Sequence, residues 1–238
     1  MPIDQLEILA LSYLWPFLRI SALLMVAPIF GAGTVSVRIR VVLAALLSAL
    51  MAPMLPVNAA IEFFSAPGIL MALREIVIGL AMGFVMQMIF GAVVLAGQSI
   101  ATGMGLGFAM AVDPQNGVQV PIVSQIKVVI ATLLFLAIDG HLMLLSAVFQ
   151  SFALVPLTDP GFAVTVFENV VSLGSQLFAS ALLLGLPTLT AVLMINIAFG
   201  VITRASPQLN IFAVGFPVTI VVGLVFLFLG MPAFIAAM

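Results

Sequence analysis

Pro67-Gly-Ile-Leu-Met-Ala-Leu-Arg-Glu-Ile-Val-Ile-Gly-Leu-Ala-Met-Gly-Phe-Val-Met-Gln-Met-Ile-Phe-Gly-Ala-Val-Val-Leu-Ala-Gly-Gln-Ser-Ile100 carries only two charges, Arg74 and Glu75. A spanning helix needs about 20 apolar residues. This run is too long for a simple crossing and requires tilt, a kink or extension beyond the bilayer. Glu75, Gly79, Gly83, Gln87 and Gly91 recur every four residues. Gly79-x-x-x-Gly83 is a spacing that lets two helix backbones approach closely. Such a row drifts about 40° per step on a 3.6-residue helix, so it suits a partner that crosses at an angle. Glu168, Ser172, Gln176 and Ser180 repeat the spacing later in the chain. Both stripes want protein neighbours, from this chain or from another subunit.

Working outward, six apolar segments stand at about 5–30, 39–57, 67–100, 122–156, 162–203 and 212–237. Hydrophobic residues are 65% of the chain and charged residues 6%, and mean hydropathy is +1.42, which defines an all-α integral membrane protein. Residues 1–238 read as a single integral-membrane domain, with Pro187 as a kink point in the fifth segment. The acidic start, Met1 to Glu7, lacks a positive n-region, so no cleaved targeting segment is expected. Under a six-span arrangement Arg38, Arg40, Lys127 and Arg204 share one side, and both termini are expected to face away from the cytoplasm. The chain has no cysteine and a net charge of -2 without a basic cluster. Disulfides, thiolate metal sites and nucleic-acid binding are therefore not expected.

The segment from Gly97 to Pro121 fits neither lipid nor water. Gly103, Gly105 and Gly107 alternate with Met104, Leu106 and Phe108, and Asp113-Pro114 is a turn signal. Irregular backbone at membrane depth must be buried in protein or line a cavity. One reading is a flexible apolar closure over a pore, in which Met104, Phe108 and Met110 supply soft volume. The other is an ordinary apolar loop packed at one membrane face.

Arg19, Arg74, Glu75, Lys127 and Asp139 lie within or at the edge of apolar runs, where a charge costs about 2.5–3.5 kcal/mol at a helix centre. Arg74 and Glu75 point about 100° apart on a helix, so they are expected to meet different protein partners. Asp139-Gly140-His141 holds the only histidine. It reads as an interhelical or interfacial turn, with a proton relay as the alternative. No nucleophile elbow, zinc helix or phosphate loop is present, so neither an enzyme nor a cofactor or metal is expected.

Several strings resemble the FliR family of flagellar biosynthesis proteins, nearly end to end. They are Val37-Arg-Ile-Arg-Val41, Arg74-Glu-Ile-Val-Ile-Gly79, Ala96-Gly-Gln-Ser-Ile100, Phe108-Ala-Met-Ala-Val-Asp-Pro114, Asp139-Gly-His141 and Ser206-Pro-Gln-Leu-Asn-Ile-Phe-Ala-Val-Gly-Phe-Pro217. The last is the most specific. The chain departs at Ser36-Val37, where the family often has proline before its basic pair, and it stops at Met238 without a clear polar tail.

The resemblance implies a subunit of the type III export gate of the bacterial inner membrane, at the flagellar basal body. Such a subunit assembles with FliP and FliQ, beside other export-apparatus membrane proteins, into a helical channel for unfolded flagellar polypeptides. It also implies that the 103–121 loop is a plug-like element, with Met104, Phe108, Met110, Asp113 and Pro114 at the closed pore. Arg74, Glu75, Gly79, Gly83, Gln87, Lys127, Glu168, Gln176, Arg204, Gln208 and Asn210 would then serve contacts between helices or subunits. If the helices form a raised spiral, partner subunits cover apolar faces that hydropathy assigns to lipid. A stand-alone secondary transporter or channel, with the broken third segment as its substrate site, is the alternative. It would be expected to show repeat symmetry and clustered charge, and here the charges are scattered.

Overall fold

The computed structural model describes residues 3–33, 35–55, 64–107, 121–157, 165–206 and 211–237. Among them all regular structure is helical: α1 (Ile3–Val26), α2 (Val37–Met51), α3 (Ala66–Gly103), α4 (Ile122–Ala137), α5 (Gly140–Leu154), α6 (Thr165–Ala205), α7 (Ile211–Leu229) and α8 (Met231–Ala237). A single 3-10 turn, Ala52–Met54, follows α2. Four helices are long and apolar enough to cross a membrane, and counting the broken pair α4 and α5 as one span gives five. At 1.5 Å per residue, α3 with 38 residues and α6 with 41 are each about 60 Å long, twice a hydrocarbon core.

Local chemistry sets the breaks. Pro28 follows the last turn of α1, and the chain reverses through Pro28–Gly31 with Ile29 at φ 73°. Arg40 Nη2 ties this reversal to α2 by donating to the carbonyls of Ala32 (2.6 Å) and Val35 (2.9 Å). The fourth apolar segment is two helices, because Asp139 adopts a left-handed conformation, φ 57°. Aspartate tolerates that conformation better than the β-branched and bulky residues around it. The Asp139 carbonyl then accepts the amides of Leu142 and Met143 to open α5. The sixth segment divides at Gly230 into α7 and α8. Pro187 lies inside α6, which continues through it as one helix.

The chain divides into two compact units, 1–88 with 139–173, and 89–138 with 174–238. The first has a core of Trp15, Ile20, Leu23, Leu24, Met51 and Phe152. The second holds two clusters, one of Ile100, Met104, Val123, Val192 and Leu227, the other of Phe90, Val93, Ala131 and Phe234. Outside these cores the surface is apolar. Ile39, Val42, Leu46 and Leu50 make an exposed stripe on α2, and Leu182, Leu183, Leu186, Leu193, Met194 and Ile197 do the same on α6. A soluble monomer rarely exposes such continuous apolar faces; lipid or protein covers them.

Candidate functional site

In the first unit α3 presents Gly79 and Gly83 to α1. A Cβ on Gly79 would collide with the Arg19 carbonyl oxygen and lie 2.9 Å from Ala22 Cβ. On Gly83 it would meet the Leu23 carbonyl oxygen and Val26 Cβ, each at 3.0 Å. The missing side chains let the two backbones touch, and that approach brings two buried charges together. Arg19 and Glu75 form a bidentate pair, Nε to Oε2 at 2.7 Å and Nη2 to Oε1 at 3.0 Å, with neither side chain exposed. Arg19 Nη1 also donates to Ser151 Oγ (3.0 Å), and Nη2 to the Val155 carbonyl (3.1 Å). Ser151 gives its own proton to Val148 O, so its oxygen is turned to accept. The Phe152 ring lies 3.9 Å from Arg19 Cζ and closes the remaining face. Planar bidentate pairing of this kind is stronger than a single contact and fixes geometry.

Arg74 turns away from that pair. Its Nη1 and Nη2 both donate to the Pro156 carbonyl at 3.3 Å, and its Nε is buried without a hydrogen-bond partner among the described residues. The two adjacent charges thus engage different elements around α5 and α1. Farther along α3 the four-residue row loses its common face. Gln87 is exposed, and a Cβ on Gly91 would meet Leu177 of α6 at 3.4 Å. Four steps of about 40° carry Gly91 to nearly the opposite face of the helix from Glu75.

In the second unit the root of the glycine-rich segment is a built joint. The amide of Leu106 donates to Ala101 O (2.9 Å) and that of Gly105 to Thr102 O (3.0 Å), with Gly105 at φ 83°. This is the double-bonded helix ending for which glycine is the usual residue. A Cβ on Gly105 would also stand 2.6 Å from the Phe216 ring, so position and packing both exclude a side chain. Asn196 of α6 donates from Nδ2 to the Gly103 carbonyl (3.0 Å), satisfying another carbonyl of the last turn. Met104 is fully buried, and its side chain lies over Gly223 of α7, where a Cβ would be 2.6–2.7 Å from Cγ, Sδ and Cε. Beside this joint a cleft of about 360 Å³ is lined by Thr102, Gly103, Asn196, Gly200, Phe216 and Thr219, among others.

The remaining sequence-derived residues stand apart. Lys127 is buried on α4 with Nζ 4.3 Å from the Phe234 ring centroid. Gln176 and Arg204 are exposed on α6, Arg204 in its last turn where a cation suits the helix dipole. Phe108, Met110, Asp113, Pro114, Gln208, Asn210 and the side chain of Glu168 lie outside the described residues. Arg19, Ser151, Asn196, Phe216 and Gly223 complete these sites without having been singled out as site residues in the sequence. Two of them carried a signal, Arg19 as a charge inside an apolar run and Phe216 as part of the Ser206–Pro217 string. Among the described residues no group of three or more His, Cys, Asp or Glu could hold a metal.

Spanning-length helices, a buried ionic clamp and long apolar faces define a polytopic helical membrane protein. Residues 10–238 match the family described as Bacterial export proteins, family 1. The flagellar biosynthetic protein FliR of Pectobacterium carotovorum subsp. carotovorum is 38% identical over 221 residues, 93% of this chain and 84% of that protein. FliR of Escherichia coli (strain K12) is 39% identical over 212 residues, 89% and 81% of the two chains. FliR of Bacillus subtilis (strain 168) is 29% identical over 219 residues, 91% and 84%. The chain belongs to the FliR family of flagellar export proteins.

Proposed function

We propose that this chain is a structural, non-catalytic subunit of the flagellar type III export gate in the bacterial inner membrane, at the basal body. With FliP and FliQ it forms the channel for unfolded flagellar proteins, and its 103–121 segment helps to seal the closed pore. The observation that carries the reading is the joint at Met104–Leu106. A segment that yields to a passing polypeptide and then returns needs a fixed root, and here the root is held by a helix cap, a buried methionine and an amide bridge. Met104 acts in this scheme as the anchor. Phe108 and Met110 beyond it supply the compliant apolar volume, and Asp113-Pro114 the return turn.

A hydrophobic constriction stops ions by dewetting, without a charged filter. Removing residues 108–112 while keeping the root is therefore expected to leave the complex assembled and raise its conductance in planar bilayers about tenfold or more. A fully assembled deletion complex with the parent conductance would remove the sealing role.

A further inference from the structure

The second unit contains a buried lysine that meets no carboxylate among the described residues. Lys127 is 4% exposed, and its Nζ lies against the Phe234 ring. Among the described residues its Nζ makes no ion pair. Residues 89–138 and 174–238 include a single acid, Asp113, which lies outside the described residues. Of the other two buried cations, Arg19 has both a carboxylate and a serine, and Arg74 has the Pro156 carbonyl. An aromatic face offsets part of the cost of desolvating an ammonium and leaves its hydrogen bonds unmade.

Lys127 borders a partly open cavity of about 40 Å³ lined by Leu183, Pro187, Thr188, Gly230 and Phe234. That is room for a few water molecules. The end of an acidic side chain fits it. On the outer side Leu183 is 68% exposed, and Leu182 and Leu186 beside it on α6 are exposed too. An apolar helix covering those leucines would bring its own side chains to the cavity.

We infer that Lys127 receives a carboxylate from a neighbouring membrane subunit, an Asp or Glu on an apolar helix that covers Leu182, Leu183 and Leu186 of α6. The inference rests on the multi-subunit reading above and names the contact chemistry of one of its interfaces. A charge left half-paired in this chain becomes complete only on assembly, so Lys127 selects a partner that carries the matching acid.

The test compares complexes extracted in mild detergent from cells carrying the parent chain, Lys127→Met, Lys127→Arg or Asp113→Asn. Lys127→Met is expected to unfold at the parent temperature or above as an isolated chain, while recovery of the complex falls about tenfold or more because the partner's carboxylate loses its cation. Lys127→Arg is expected to keep most of the recovery. In the parent complex, dicyclohexylcarbodiimide is expected to join Lys127 Nζ to an Asp or Glu of another subunit, identified by peptide mass spectrometry. Parent-level recovery of Lys127→Met overturns the inference. So does loss of recovery in Asp113→Asn with a cross-link to Asp113, which makes the counter-ion internal. Loss of bound anionic phospholipid from Lys127→Met with all subunits retained overturns it as well. A parent chain that comes out of cells making all the subunits without any of them contradicts the export-gate reading together with this one, whereas a complex indifferent to Lys127 contradicts this one only.

Discussion

Glu75→Ala is expected to destabilise the first unit by about 3–5 kcal/mol, the usual result of leaving one half of a buried ion pair behind. Glu75 is fully buried and holds Arg19 through two hydrogen bonds. Without it the guanidinium keeps only Ser151, the Val155 carbonyl and the Phe152 ring. Trp15 is the only tryptophan and is packed in the same core, so its emission reports this unit during denaturant titration in detergent. The double variant Arg19→Met/Glu75→Leu is expected to regain most of the loss, because an apolar pair of similar volume avoids the desolvation that the charges bear. A Glu75→Ala transition within about 1 kcal/mol of the parent would mean that water reaches the pair.

Gly79→Leu is expected to be at least as damaging. The nearest atom to its new Cβ is the Arg19 carbonyl oxygen, a backbone atom that cannot swing aside. Even Gly79→Ala forces α1 and α3 apart, at a cost of about 1–3 kcal/mol by overpacking, and the displacement strains the adjoining Arg19–Glu75 bond. Gly83→Ala is expected to cost less, since its contacts stand at 3.0 Å and beyond. Because the atoms met belong to α1 of the same chain, the losses are expected in the isolated subunit as well as in its complex. Thermal unfolding followed by Trp15 emission ranks the three variants. An unchanged transition for Gly79→Leu would deny the close approach.

The helical class and the long third segment were legible because every residue from Pro67 to Ile100 except Arg74 and Glu75 is uncharged, and α3 runs from Ala66 to Gly103. The four-residue row was legible as a contact device, but its partners were not. Arg19 lies 56 residues before Glu75, and nothing in local spacing pairs them. The break inside the fourth segment was half legible. Asp139-Gly140-His141 reads as a turn, yet hydropathy merges Ile122–Ala137 with Gly140–Leu154, because one left-handed aspartate leaves no mark on a sliding average. At the glycine-rich segment, alternation with methionine suggested freedom throughout. The structure divides the run instead: Gly105 is a fixed cap and Met104 a buried anchor on Gly223. That distinction depends on α7, more than a hundred residues later, and so escapes any local reading.

If this chain works as one part of a multi-subunit gate, its company on extraction shows it. Native mass spectrometry of the affinity-tagged chain, released from flagellated cells in mild detergent, is expected to give a single large hetero-complex containing FliP and FliQ. A small homo-oligomer of this chain alone, stable and free of other subunits, would contradict the account and favour a stand-alone transporter.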